Sequence, residues 1–299
     1  MAGRPYFDVE TIKSTEPYST QHLLQTVDVY RVTKARGAIW LMYPSSLLSS
    51  PPLQVAGLSV FFSFLHGGAW RDPMVTSEAG TTLINFIANS SPPIAVNGAS
   101  INYRLSPHPA HPATTDPATV AAAMHPDHLN DVLDALGYLQ ATYRMDRYAL
   151  VGHSAGAMLA FQALAATIQA APLRQQQQQQ HPLLPQPVAV YGIEGIYDLH
   201  ALVDEYPAYR EFVEGAFGSE PEAWPQPMQL QGYSGLVVLA HSDDDGLLSW
   251  RQTEEMKGRC ERSLGVGGGM RVVKVAGDHD DVLQTGQFGA VVERYLREL

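Results

Sequence analysis

The most chemically pointed feature of the chain is a serine flanked by small residues, Ser154 in Gly152-His153-Ser154-Ala155-Gly156. The apolar run Tyr148-Ala149-Leu150-Val151 leads in and a long Ala/Leu/Met-rich stretch leads out, an order that reads strand, sharp turn, helix. Such a turn strains the serine backbone and tolerates only small neighbours, as Gly152, Ala155 and Gly156 are. Ser154 then stands at a helix N-terminus, where the Ala155 N–H can face an oxyanion. The pentapeptide alone is a weak signal, and its setting gives it weight.

A serine hydroxyl becomes a nucleophile only when a base takes its proton, and the base needs a carboxylate to fix its tautomer. Where a serine sits on a strand-to-helix turn of this kind, the chain order is serine, acid, histidine. Of the eleven histidines, His153, His181, His200, His241 and His279 lie within or after the motif. His153 is inside the turn, its side chain directed away from that of Ser154. His181 adjoins a glutamine run, His200 precedes the strand expected to deliver the acid, and His241 precedes Asp243-Asp244-Asp245. That leaves His279, in Gly277-Asp278-His279-Asp280-Asp281, as general base. The acid stays open among Asp243, Asp244 and Asp245. Further oxyanion donors are expected from Gly67 and Gly68 in His66-Gly67-Gly68-Ala69-Trp70, which ends the apolar run 58–65. Trp70, Tyr103 and Tyr197 each read equally well as pocket lining or as core packing. No metal-ligand pattern and no G-x-G-x-x-G is present, so no metal or cofactor is expected.

These residues need a frame. Apolar runs at 27–33, 38–43, 58–65, 94–101, 148–151, 188–191, 236–240 and 271–275 read as strands, the first two as a hairpin. Helices are expected at 81–89, from 129 onward with Asp127 as N-cap, from Ser154, and at 288–299. Residues 199–230 mix short helical patterns with loops. Strands alternating with helices imply a mostly parallel, eight-stranded sheet with helices on both faces, and a serine after the fifth strand is the α/β-hydrolase arrangement.

A chain of 299 residues, 45% hydrophobic, suits one such domain over 1–299. Residues 1–26 lack periodicity and read as an N-terminal extension. The segment 107–126, with five prolines, reads as an irregular or lid loop, and 173–187, with Gln175 to Gln180, as a disordered insertion. A net charge of -11 argues against nucleic acid and anionic membranes as partners. The single cysteine, Cys260, excludes an internal disulfide, and the polar N-terminus is no secretory signal. A cytoplasmic protein is expected, with a small-molecule substrate and a homodimer as the candidate assembly.

The chain also resembles the fungal kynurenine formamidases, a branch of the α/β-hydrolase superfamily. The resemblance runs from about residue 20 to the end. Besides the two glycine motifs it rests on Ser100-Ile101-Asn102-Tyr103-Arg104-Leu105, His125-Pro126-Asp127-His128 with Asp131-Val132, and Glu194-Gly195-Ile196-Tyr197-Asp198-Leu199. It continues in His241-Ser242-x-x-Asp245-x-Leu247-Leu248 and His279-x-Asp281-Val282, with Asp243-Asp244 and the glutamine run as departures. The resemblance implies Asp245 as the triad acid and hydrolysis of N-formyl-L-kynurenine. It leaves Glu194, Arg104, Tyr197, Trp70 and Tyr103 as candidates for substrate binding. The competing expectations are a carboxylesterase of the hormone-sensitive-lipase-like group and a non-catalytic binding protein on the same fold.

Overall fold

Two antiparallel strands, β1 (Val9–Pro17) and β2 (Thr26–Ala35), form one edge of an eight-stranded sheet. The computed structural model describes residues 9–35, 60–89, 97–111, 116–170, 184–226, 228–264 and 268–298. β3 (Phe61–Leu65), β4 (Asn97–Ile101), β5 (Tyr148–His153), β6 (Ala189–Ile193), β7 (Leu236–Ser242) and β8 (Gly269–Val275) complete the order β1-β2-β4-β3-β5-β6-β7-β8. β2 meets β4 antiparallel, and every pairing from β4 to β8 is parallel. β3, β5, β6 and β7 are buried at every position because both of their faces are covered, and this is why they read as nearly continuous apolar runs.

Helices α1 (Thr81–Ala88), α2 (Asp127–Tyr143), α3 (Ala155–Ala170), α4 (Leu199–Glu205), α5 (Arg210–Phe217), α6 (Trp250–Ser263) and α7 (Gln287–Leu296) divide between two cores. Leu83, Ile84 and Ile87 of α1 pack with Phe288, Val292 and Leu296 of α7 on one face. The other core gathers residues of α2 to α6, among them Leu136, Phe161, Leu202, Val213 and Met256. α3 is buried nearly all round, as expected of an Ala-rich helix at the centre of the molecule.

Several expectations change. The segment 1–26 contains β1, which no apolar period announced. β1 is an edge strand held by backbone pairing to β2, and none of its described side chains is fully buried. The run 27–33 belongs to β2, so its hairpin partner is β1; the run 38–43 lies outside the described residues. Asp127 is the first residue of α2 rather than its N-cap, a position held by Pro126. α6 was not foreseen at all, because its buried face is Gln252, Thr253, Met256, Cys260 and Ser263. In 107–126 the described parts are tied to the body: Val120 O accepts from His22 Nε2 at 3.2 Å and Leu105 O from Ala123 N at 3.0 Å. Of 173–187, residues 173–183 lie outside the described residues.

Candidate active site

Ser154 sits between β5 and α3 with φ 53°, the left-handed region that a residue with a β-carbon enters only at a cost. Its N–H bonds to Ile193 O at 2.9 Å, and its own carbonyl accepts from Ala157 N at 3.0 Å, so neighbouring strand and helix both hold the strained turn. A β-carbon on Gly152 would collide with the Gly156 carbonyl, and one on Gly156 with the Leu65 and His66 carbonyls. Glycine at both positions therefore lets α3 leave the sheet directly behind the serine. Ala155 is the first residue of α3, and its N–H lies outside the helix's own bonding ladder.

Across from this turn, β3 runs into His66-Gly67-Gly68-Ala69-Trp70. Gly68, Ala69 and Trp70 all have positive φ, at 85°, 48° and 59°. A β-carbon on Gly67 would lie 2.9 Å from Ser154 Cβ, so the Gly67 backbone is pressed against the serine. Tyr103 braces the loop: its hydroxyl donates to His66 O at 3.0 Å and Gly67 O at 3.1 Å, and its ring stacks on His66 at 4.4 Å. Tyr103 is held in turn by its neighbours. The Arg104 backbone N–H donates to Asp131 Oδ2 at 2.8 Å and its guanidinium takes the same buried carboxylate, which also accepts from Gln25 Nε2.

Of the three consecutive aspartates, Asp245 is the one that meets His279. Its Oδ2 is 2.9 Å from His279 Nδ1, while Oδ1 accepts the Leu247 and Leu248 amides at 2.8 and 2.9 Å. Burial alone would push the Asp245 carboxyl up; the His279 hydrogen bond and charge, with the two amides, outweigh it and hold the group below the usual range. A carboxylate at Nδ1 makes that nitrogen the N–H donor and leaves Nε2 to take a proton. Asp243 is exposed and pairs with Lys274 Nζ at 2.8 Å, and Asp244 is exposed as well. Asp278 ties the two loops together, accepting the Gly246 amide at 3.0 Å and the His279 amide at 2.8 Å.

Two residues meet His279 in places the sequence did not assign them. His153 Nε2 donates to the His279 carbonyl at 2.9 Å, and the two rings lie 4.8 Å apart. Burial keeps His153 neutral, with its pKa pushed down to about 3. The second is Glu194, at φ 44° just after β6, with Oε2 3.8 Å from His279 Nδ1 and 3.9 Å from His153 Nε2. Among the described residues His153, Glu194 and His279 are the group close enough to converge on an ion. Their chemistry does not fit one: the carbonyl at His153 Nε2 and the carboxylate at His279 Nδ1 make both nitrogens N–H donors, with no lone pair to offer.

Four of the candidates for substrate binding are interior residues in this structure, and Arg104 is half-buried. Trp70, Tyr103, Glu194 and Tyr197 are at most 1% exposed. Trp70 packs edge-on to Phe217 at 4.8 Å, Tyr197 against Phe161 at 5.6 Å, and Arg104 is committed to Asp131.

A model of the alpha/beta hydrolase fold matches residues 62–215. A kynurenine formamidase-like hydrolase of Fusarium equiseti is 35% identical over 263 residues, 79% of this chain and 83% of its own length. A kynurenine formamidase of Aspergillus versicolor is 33% identical over 73% of this chain and 82% of its own length. The chain belongs to the kynurenine formamidase family of α/β hydrolases. Another member, from Meyerozyma guilliermondii, is 35% identical over 64% of this chain and 68% of its own length. Among solved structures, an esterase/lipase from an uncultured bacterium covers all of the chain and 86% of its own at TM-score 0.60 and 16% identity. An arylesterase covers 99% and 86% at TM-score 0.61 and 15% identity. Such low identities carry the fold alone. The chain is thus a hydrolase with the expected mostly parallel eight-stranded sheet, and no described helix is long and apolar enough to cross a membrane.

Proposed function

We propose that the chain hydrolyses N-formyl-L-kynurenine to L-kynurenine and formate. That is the second step of tryptophan breakdown through kynurenine, a route that also feeds NAD synthesis. What supports the reading is the Asp245–His279 pair and a left-handed Ser154 whose chain neighbour His153 bonds the His279 carbonyl, in a chain whose relatives over most of its length are named kynurenine formamidases.

Ser154 Oγ adds to the formyl carbon as its proton passes to His279 Nε2, and Asp245 balances the imidazolium. The N–H groups of Gly67, Gly68 and Ala155 receive the oxyanion, each worth on the order of 3 kcal/mol to the transition state. Collapse of the adduct breaks the C–N bond while His279 returns the proton to the aryl amine, which departs as L-kynurenine. Water, deprotonated by His279, then attacks formyl-Ser154; formate leaves and the Ser154 hydroxyl is restored. Formyl is the smallest acyl group, so a glycine loop pressed against the serine leaves it room. An aryl amine also departs more readily than an alkyl amine. A cytoplasmic location accords with the one cysteine, Cys260, buried in α6 with burial pushing its thiol up to about 12.

The test compares rates on N-formyl-L-kynurenine and p-nitrophenyl acetate, with Ser154→Ala as the blank. A strong preference for the formamide is expected. Good ester turnover with negligible deformylation would move the function to a general carboxylesterase, and a serine that takes no phosphonate in folded protein would end both readings.

A further inference from the structure

Glu194 is spent on nothing in the mechanism above. It is wholly buried, and its carboxyl oxygens have no side-chain partner at hydrogen-bond geometry, only the Ser242 backbone close by. Its backbone is held in the left-handed region by the bond from Glu194 N to Ala240 O at 2.8 Å. A buried carboxyl so poorly partnered is costly, and an apolar residue of similar volume would fill the space without that cost. What the position provides is reach. Glu194 Oε2 is 3.8 Å from the same His279 Nδ1 that Asp245 Oδ2 contacts at 2.9 Å, and it lies 3.9 Å from His153 Nε2.

We infer that Glu194 is a positioning residue for His279: a second carboxyl at the Nδ1 edge of the ring that takes over from Asp245 as partner of the imidazolium when Asp245 is lost. The inference rests on the serine hydrolase reading and assigns Glu194 to the histidine rather than to the substrate.

Two carboxyls beside one imidazole do not both ionise readily. The groups around Glu194 are Asp245 and His241 from the end of β7, Asp278, His279 and Asp280 after β8, His153 on β5, and Tyr197 four residues beyond β6. Burial first and the Asp245 charge second push Glu194 up to about 9, with Asp278 and Asp280 adding to it and the Ser242 backbone offsetting part. Glu194 therefore keeps its proton while Asp245 carries the charge. Removing Asp245 removes the largest charge opposing ionisation. Glu194 can then lose its proton to water, accept the His279 Nδ1–H after a shift of about one ångström, and balance the imidazolium that forms when Ser154 gives up its proton. Turnover without Asp245 thus requires an ionised Glu194.

The experiment compares wild type, Glu194→Gln, Asp245→Ala and the double variant from about pH 6 to about pH 9, each checked for folding by thermal unfolding. Two rates are read, phosphonylation of Ser154 by a fluorophosphonate and kcat and KM on N-formyl-L-kynurenine. Glu194→Gln alone is expected to lower kcat by less than about 3-fold, because glutamine resembles the protonated acid. Asp245→Ala should lose about 10²- to 10⁴-fold and keep a residual rate that climbs with pH. Adding Glu194→Gln to it should abolish the climb and remove roughly another 10-fold from kcat at unchanged KM. If Glu194→Gln costs the same factor in both backgrounds, or the residual rate of Asp245→Ala does not depend on Glu194, the inference is overturned. Should Asp245→Ala fail to fold, Asp245→Asn keeps an acceptor for the Leu247 and Leu248 amides and carries the same comparison. A wild type that takes no phosphonate would sink the hydrolase reading and this inference with it. A wild type that is labelled but does not deformylate would change only the substrate and leave the Glu194 comparison readable on the phosphonate.

Discussion

Ser154, Asp245 and His279 come from the ends of three different strands, and each is fixed by bonds that have nothing to do with substrate. The Leu247 and Leu248 amides orient the Asp245 carboxylate, and the His153 imidazole and the Asp278 carboxylate hold the His279 backbone. Ser154→Ala, His279→Ala and Asp245→Asn should each lower kcat by about 10²- to 10⁴-fold, with thermal unfolding nearly unchanged. Asp244→Asn should stay within roughly 2-fold, since that side chain is exposed and remote from the histidine contact. Full activity in Asp245→Asn with loss in Asp244→Asn would show that the acid is misassigned. The Tyr103 hydroxyl supplies two bonds to the loop that carries Gly67 and Gly68. Tyr103→Phe is expected to reduce kcat about 10-fold with KM little changed, the signature of a weakened oxyanion site; a rise in KM alone would place Tyr103 in substrate binding.

At the scale of elements, the site depends on how closely α3 and the loop after β4 approach the ends of β3 and β5. Gly156 lets α3 start against the Leu65 and His66 carbonyls, so Gly156→Ala should destabilise the fold by about 3 kcal/mol or more, measured by denaturant unfolding. The loop after β4 is clamped to α2 through Arg104 and the wholly buried Asp131. Asp131→Ala leaves Gln25 Nε2 and the Arg104 backbone N–H without their acceptor and should cost about 3 kcal/mol. Because the same loop carries Tyr103, that variant should also lose activity at temperatures where it is still folded. Retained stability would mean that water replaces the carboxylate at those donors.

For the whole molecule, the buried titratable groups set opposing slopes of stability with pH. Burial pushes His66 and His128 down to about 4 and His153 to about 3. Between about pH 6.5 and those values the unfolded chain binds protons that the folded chain refuses, so stability is lost as pH falls through that window. Glu194 acts in the other direction. Its pKa is raised to about 9 in the fold, so between the ordinary glutamate value and about 9 the folded state holds a proton that the unfolded state has released, and stability falls as pH rises. Asp245, held low, loses its contribution only in acid, as pH drops below the ordinary carboxylate value. The melting temperature should therefore peak near neutral pH. Glu194→Gln should flatten the alkaline decline and His128→Gln the acid one, both read from thermal unfolding at a series of pH values. A decline unchanged by either substitution would mean that the group concerned is not buried as described.

What could be read from the chain alone was whatever depends on near neighbours in sequence. Residues 148–156 show a strand, a turn and a helix because the apolar run, the paired glycines and the alanine-rich stretch each act locally, and the central strands announce themselves because burial on both faces leaves few polar positions. Composition and residue spacing left Asp243, Asp244 and Asp245 equivalent, and it took the resemblance to prefer Asp245. They become different only when the loop after β7 folds beside His279, since the side chain of one of three consecutive residues points inward for reasons 34 residues distant. β1 was invisible for a related reason: an edge strand is defined by backbone bonds to a partner, and its side chains carry no burial pattern. The same holds for α6, whose buried face mixes polar and apolar residues, and for the supporting shell of Tyr103, His153 and Glu194. Their positions in the motifs were legible, but which carbonyl, carboxylate or ring each one meets is a contact across the sheet, and only the tertiary structure decides it.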